Sequence, residues 1–199
     1  MPEPSEPDPT EPEPTPGGGS APAWRSQYGE CNRQNAPEFD AQLDWLVGSY
    51  GTASKVGQSA GVAANWILGW AAQESSWGQS RNAQQNGNYF GLTLPRGSVT
   101  GGWAGAILCG PGTVAGWACF VSFEGSAIAA LTKVYGTQSA AAILAANAGL
   151  GATAAFQAVA NAGHDPRGTT TNAGYGERMG DTVDLVNKRV DCLKNNGYL

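Results

Sequence analysis

The sequence predicts an α+β fold, in which a mostly helical domain carries a small β-hairpin lobe. Apolar residues recur at helical spacing before Glu74 and after Phe123. Between Gly91 and Phe123 this periodicity gives way to recurring glycines and loosely alternating apolar residues, which is typical of short strands. The turn signal Gly110-Pro111-Gly112 lies inside that stretch and marks the expected tip of the hairpin.

The helices can be placed in order along the chain. Pro37 begins the first one, because proline is tolerated in the first turn of a helix. The weakly periodic stretch 51–61 leaves open whether that helix continues or breaks. A second helix is predicted over about 62–76 and ends at Gly78, with a short helical turn at 81–85. Later helices are expected at 126–135, 139–148, 152–162 and 175–193.

Residues 1–20 are predicted to be a disordered, acidic, proline-rich linker, followed by one domain over residues 21–199. The first sixteen residues hold seven prolines and five acids but no basic residue, and Gly17-Gly18-Gly19-Ser20 follows. Such a segment cannot bury enough apolar surface to fold and is expected to act as a spacer. The remainder of the chain is long enough for one domain with a sizeable core.

The charge distribution argues against several classes of partner. The net charge of −5 comes from the five acids of the linker, so the domain itself is formally neutral. A neutral body without a basic cluster disfavours nucleic acid and electrostatic membrane binding, and is compatible with a sugar polymer. No apolar run is long enough for a transmembrane helix, so membrane insertion is not expected. A nucleic-acid partner is not expected either, because the domain has no basic cluster. We expect a monomer.

The four cysteines favour two disulfides. Their spacing fits no zinc motif, and the single histidine, His164, adds no metal pattern, so neither a metal nor a cofactor is expected. Cys109 and Cys119 flank the predicted hairpin tip and are expected to pair. Cys31 would then pair with Cys192 and tie the lead-in segment to the last helix. Disulfides imply an oxidising compartment, whereas four reduced cysteines would fit a cytosolic protein.

Glu74 is the strongest candidate for a catalytic residue. It lies at the end of a helix whose preceding residues, 62–72, carry no charge. Partial desolvation and the negative end of the helix dipole both disfavour an ionised carboxylate at this position. A carboxyl group that keeps its proton is what a general acid needs to protonate a leaving oxygen.

Two motifs resemble those of a known family. The segments Glu74-Ser75-Ser76-Trp77-Gly78-Gln79-Ser80 and Asn88-Tyr89-Phe90-Gly91-Leu92 resemble a pattern of bacterial peptidoglycan hydrolases with a lysozyme-like fold. The flagellar and autolysin-type endo-β-N-acetylglucosaminidases are the most similar branch. Further similarity at 119–123 and 156–178 extends the resemblance over about residues 60–190.

The resemblance implies a lysozyme-like glycoside hydrolase domain with a cleft between the helices and the β lobe. Its substrate would be the glycan strand of peptidoglycan, cut after N-acetylglucosamine in the bacterial periplasm or outside the cell. No signal peptide is visible in this chain, which suggests an excised domain or another export route. A toxin effector with a cognate inhibitor or immunity protein, an autolysin and a phage lysin all fit.

The resemblance also assigns roles to individual residues. Tyr175 matches a catalytic tyrosine near the substrate's acetamido group. Nine residues separate it from Asp165, which is a longer spacing than the family has. His164 takes the position of another tyrosine and could bind sugar or act as a base, a plain surface histidine being the alternative. The expected substrate-binding residues along the cleft are Asn88, Tyr89, Phe90, Trp103 and Trp117. The two tryptophans would stack on sugar rings, the alternative being that they only pack within the lobe.

The second catalytic group is not evident. No Asp or Glu occurs between Glu74 and Glu124, and the candidates for a second acid are Glu124, Asp165 and Glu177. Without one, the substrate's own 2-acetamido oxygen could attack the anomeric carbon. Attack by its 6-hydroxyl would instead give lytic transglycosylase chemistry. N-acetylmuramidase activity and a non-catalytic glycan-binding domain remain alternatives.

Overall fold

The computed structural model describes residues 25–34, 36–94, 103–164 and 174–199. These residues form seven α-helices and two small antiparallel hairpins, which confirms the α+β class. The predicted linker 1–20 lies outside the described residues. The elements in order are α1 (Pro37–Ala60), α2 (Ala64–Ser75), α3 (Arg81–Asn86), β1 (Ala106–Ile107), β2 (Cys119–Phe120), α4 (Phe123–Thr132), β3 (Val134–Tyr135), β4 (Gln138–Ser139), α5 (Ala140–Ala146), α6 (Ala152–Asn161) and α7 (Tyr175–Asn195).

Most predicted helices are present, with two differences. The first helix continues without a break to Ala60, where Gly61 adopts a left-handed conformation and ends it. The predicted helix over 126–135 is displaced. It begins at Phe123, because the Ser122 side chain caps it by accepting a hydrogen bond from the Gly125 amide. It ends at Thr132, because residues 134–139 form the hairpin β3–β4.

The core is organised around α7, which packs against both α6 and α2. Its buried face is a stripe of apolar residues at helical spacing: Met179, Val183, Val186, Val190 and Leu193. Small residues allow close approach of the neighbouring helices. Gly69 of α2 lies so close to Val183 that a Cβ there would be 2.6 Å from a Val183 methyl carbon, and Gly176 and Gly180 lie directly against Thr153 of α6.

The β lobe follows Gly91 and contains the predicted hairpin. Strand β1 pairs with β2 so that Ala106 faces Phe120 and Ile107 faces Cys119. A third extended segment, around Leu92 and Thr93, pairs with the residues just before β2. The Ala118 amide donates to the Leu92 carbonyl at 2.8 Å, and Thr93 forms a β-bridge with Trp117. The predicted tip, 110–112, lies between the two strands.

Both predicted disulfides are confirmed. Cys31, in a short 3-10 turn ahead of α1, is bonded to Cys192 of α7, and this bridge closes a loop of 161 residues. Cys109 is bonded to Cys119 and closes a loop of 10 residues within the lobe. The first bridge therefore ties the lead-in segment to the central helix, and the second fixes the hairpin.

The two disulfides should differ in their effect on stability. In the loop-entropy description, replacing Cys31 and Cys192 with serine should lower the free energy of unfolding by about 4 to 5 kcal/mol. The corresponding double variant of Cys109 and Cys119 should lose about 3 kcal/mol, since its loop is much shorter. Urea denaturation of the two variants measures both values. A larger loss from the lobe disulfide would contradict this ranking.

Candidate active site

Glu74 lies in the last turn of α2, with only 15% of its side chain exposed. The Tyr175 hydroxyl, at the first residue of α7, donates a hydrogen bond to Glu74 Oε1 at 3.2 Å. Nε2 of His164, just after α6, lies 3.8 Å from the same oxygen. The ends of three helices therefore bring Glu74, Tyr175 and His164 together.

A strained turn holds Glu74 at the end of its helix. Ser76, Trp77 and Gly78 all have positive φ angles, of 51°, 58° and 75°. For residues other than glycine this conformation costs roughly 1 to 3 kcal/mol each and persists only where neighbouring contacts fix it. The buried Ser75 hydroxyl supplies one such contact by accepting from the Gly78 amide at 2.8 Å. Gly78 also lies against the Trp45 ring, which leaves no room for a side chain.

Strand β3 and the residue before it add Tyr135 and Lys133, which the sequence analysis missed. The Tyr135 hydroxyl is 2.8 Å from Nδ1 of His164. Nζ of Lys133 lies over the rings of Trp103 and Tyr135, at 5.4 and 5.0 Å from their centroids. The available signal was Gly136, because glycine suits the first central position of a two-residue hairpin turn. The helical prediction through residue 135 obscured it.

The electrostatics show that these groups share one environment. Burial raises the pKa of Tyr175 well above its ordinary value, and the charge and hydrogen bond of Glu74 raise it further. Burial also raises the pKa of Tyr135, with a smaller contribution from the Glu74 charge. Both hydroxyls therefore stay protonated at neutral pH. Burial lowers the pKa of Lys133, an effect that the Glu74 charge opposes.

The second carboxyl oxygen of Glu74 faces the β lobe. A Cβ placed on Gly91 would lie 3.5 Å from Glu74 Oε2 and 3.7 Å from the Trp117 ring. Gly91 has a φ of +62°, so both its conformation and its position suit glycine. The two oxygens of Glu74 thus have different surroundings, with polar groups of the helical core at Oε1 and a half-buried lobe tryptophan near Oε2.

The expected sugar-binding residues divide into two groups. Trp103, Trp117 and Tyr89 are half-buried and keep exposed surface, and the Trp103 indole donates to the Thr93 carbonyl at 3.0 Å. Asn88 and Phe90 are buried, each with 1% exposure. These two support the site from beneath instead of lining the floor of a cleft.

Asn88 braces the base of the β lobe. Its side-chain amide donates to the carbonyls of Leu92 and Ala118, at 2.7 and 3.0 Å. Its oxygen accepts from the Leu92 amide at 3.0 Å. Phe90 packs edge-on against Trp70, which also contacts His164. The side-chain oxygen and nitrogen of Asn88 both bond to the backbone, so Asn88 holds together the two segments that carry the lobe.

The structure describes His164 and two of the three candidate second acids. His164 is 6% exposed, so the alternative of a surface histidine is wrong. Glu124 pairs with Lys55 of α1 at 3.3 Å. Glu177 is exposed in the first turn of α7. Asp165 lies outside the described residues.

Two further findings concern the described ranges alone. They contain no group of three or more His, Cys, Asp or Glu residues placed to hold a metal ion. Within them, no helix combines the length and the apolar character needed to cross a bilayer.

The fold is similar to that of one chain in the structure of a type VI secretion system effector–immunity complex from Pseudomonas protegens. The TM-score is 0.52 and the sequence identity 23%, and the match covers 76% of this chain and 95% of that chain. At this identity the likeness concerns the fold alone. No protein-family model matches the chain, and no curated protein matches it in sequence.

The structural position of Asn88 leads to a stability prediction. In Asn88→Ala, the Leu92 amide and the two buried carbonyls lose this partner, so the free energy of unfolding should fall by about 2 to 4 kcal/mol. Chemical denaturation measures the loss. An unchanged stability together with weakened binding of glycan fragments would instead assign Asn88 to sugar contact.

Proposed function

We propose that this chain is a peptidoglycan glycosidase that uses Glu74 as its general acid. The observation that carries the proposal is the asymmetry of the Glu74 carboxyl group. Oε1 is held by the Tyr175 hydroxyl on the helical side, while Oε2 faces Gly91 and Trp117 on the lobe side. Such a carboxyl group can present a proton from Oε2 towards a sugar lying between the helices and the lobe.

The acid step can be written with these groups. Glu74 gives its proton to the glycosidic oxygen as the bond from that oxygen to the anomeric carbon breaks. The carboxylate that remains keeps the Tyr175 hydrogen bond at Oε1. Lys133 interacts electrostatically with Glu74, whose charge raises the pKa of the lysine against the effect of its burial. Both features stabilise the negative charge that develops on Glu74.

The second half of the reaction is assigned to the substrate. Glu124 pairs with Lys55, Glu177 is exposed and Asp165 lies outside the described residues. The interactions of Glu74 within the described residues involve tyrosine, histidine and lysine. Attack by the 2-acetamido oxygen forms the new bond to the anomeric carbon and gives an oxazolinium ion. Water then opens this ring, and its proton returns to Glu74. Retaining chemistry needs no second protein carboxylate by this route.

A role as an exported antibacterial effector fits the same set of facts. The similar fold comes from an effector–immunity complex, and the two disulfides require an oxidising compartment to form. The proposal therefore places the substrate, the glycan strand, in the periplasm or outside the cell. A cognate immunity protein would be its protein partner.

Glu74→Gln tests the proposed general acid. Glutamine keeps the acceptor for the Tyr175 hydroxyl but has no proton to give, so turnover on purified sacculi should fall by about two to four orders of magnitude. The matched control is Glu38→Gln, which removes an exposed carboxylate from the first turn of α1. Its activity should equal that of the wild type.

Near-wild-type hydrolysis by Glu74→Gln, with the melting temperature unchanged, would overturn the proposed function. A wild-type domain that binds sacculi without solubilising them would instead identify a non-catalytic glycan-binding domain.

The products identify the bond that is cut. We expect N-acetylglucosamine at the new reducing ends, since the motifs resemble the glucosaminidase branch. Borohydride reduction followed by mass spectrometry would then detect N-acetylglucosaminitol. Muramitol ends would assign an N-acetylmuramidase. Anhydro ends, one water lighter and resistant to reduction, would assign a lytic transglycosylase.

A further inference from the structure

His164 is a buried histidine whose ring is enclosed on several sides. It lies just after α6 with 6% exposure. Its ring centroid is 5.6 Å from Trp70, 5.5 Å from Tyr135 and 5.1 Å from Tyr175. Such packing fixes the plane of the imidazole, so its two nitrogens point in set directions.

The two nitrogens have unequal partners. Nδ1 is 2.8 Å from the Tyr135 hydroxyl. Nε2 is buried and has no hydrogen-bond partner, although it lies 3.8 Å from Glu74 Oε1. Burying a polar atom without a hydrogen bond costs free energy, so we look for a functional partner in the direction in which the atom points. Here that partner is the carboxyl of Glu74.

The tautomer of His164 follows from these contacts. Tyr135 keeps its proton at neutral pH and can donate it to Nδ1. The proton of the neutral ring then lies on Nε2 and points at Glu74 Oε1. In the other tautomer, the Nε2 lone pair would face Oε1 of the Glu74 carboxylate that remains after proton transfer, in a buried place where repulsion is poorly screened.

We propose that Tyr135 and His164 form a relay that positions Glu74, with the Nε2 proton of His164 directed at Oε1 so that the acid proton resides on Oε2. This inference rests on the proposed function and assigns His164 a positioning role in place of the sugar contact expected from the sequence. The Tyr175 hydroxyl already donates to Oε1. A second donor on the same side restricts rotation of the carboxyl group and leaves Oε2 as the oxygen that faces the lobe.

The relay also acts after proton transfer. When Glu74 becomes a carboxylate, a shift of less than 1 Å would bring Nε2 within normal hydrogen-bond distance of Oε1. The bond is stronger to the carboxylate than to the acid, so it favours the charge that develops as the glycosidic bond breaks. The titratable groups that contact His164 in the described residues are Glu74, Tyr135 and Tyr175, from α2, β3 and α7, and Lys133 lies over the Tyr135 ring.

Nitrogen NMR of the wild-type protein tests the tautomer directly. His164 is the sole histidine of the chain, so the ring signals of a 15N-histidine-labelled sample need no assignment by mutation. At neutral pH we expect a protonated Nε2 and an unprotonated Nδ1. In Tyr135→Phe, the preference should weaken towards a mixture of tautomers. A protonated Nδ1 with a bare Nε2 in the wild type would overturn the proposal.

A pair of amide variants tests the effect on the reaction. The amide of His164→Gln can reach the position of Nε2, whereas that of His164→Asn reaches only the position of Nδ1. We expect kcat to fall by about 10- to 100-fold in His164→Asn, as for loss of one hydrogen bond to a charged group, with KM little changed. His164→Gln should stay within about threefold of the wild type. Equal losses in the two variants would indicate packing alone and overturn the relay.

The outcomes separate this inference from the proposed function. Retained hydrolysis by Glu74→Gln overturns the proposed function, and no result with a His164 variant imitates it. An inactive Glu74→Gln beside a fully active His164→Asn overturns the relay alone. If both His164 variants fail to fold, the tautomer of the wild-type protein still decides the question.

Discussion

The antiparallel packing of α7 along α2 is the constraint on which the rest of the structure depends. The contact between Gly69 and Val183 sets a short distance between the helices, which a larger residue than glycine would prevent. Hydrogen bonds on either side of it, from Asn65 to Asn187 and from Thr182 to Gln73, fix the register. In this register, the start of α7 meets the end of α2. Tyr175 therefore reaches Glu74 across 101 residues of sequence.

Helix ends and short connections then build the site around that meeting point. The left-handed turn after Ser75 stops α2 immediately beyond Glu74. The end of α6 delivers His164, and the hairpin β3–β4 delivers Tyr135 to its far side. Each of these residues lies at or just beyond the end of an element, where side chains converge without interrupting the hydrogen bonds of a helix. The two left-handed non-glycine residues are the energetic cost of this arrangement.

The sequence predicted the helical frame better than the roles within the site. Glu74 at the end of a helix, Tyr175 at the start of the last helix and the Cys109–Cys119 bridge could be predicted, because periodicity and nearby residues determine them locally. The Cys31–Cys192 bridge spans 161 residues and could be predicted only because the other two cysteines were already paired. Asn88 could not, because an amide that holds two backbone segments looks in sequence like one that binds a sugar. The burial of His164 depends on packing against residues from three other elements, and that information is not local. Tyr135 was missed because a two-residue strand gives almost no periodic signal.

The β lobe is held by specific local bonds and only weakly by its strands. Its strands have two residues each, so they contribute few ladder hydrogen bonds. Asn88 compensates by joining the Leu92 and Ala118 segments, and the Cys109–Cys119 bridge closes the hairpin next to Trp117. The amide of Asn86 adds two hydrogen bonds to the backbone of Val114, so the position of Trp117 relative to Glu74 depends on two buried amides, the backbone bonds of the lobe and one covalent bond. Because that bond forms only under oxidising conditions, the covalent part of this support is present only where the disulfide can form.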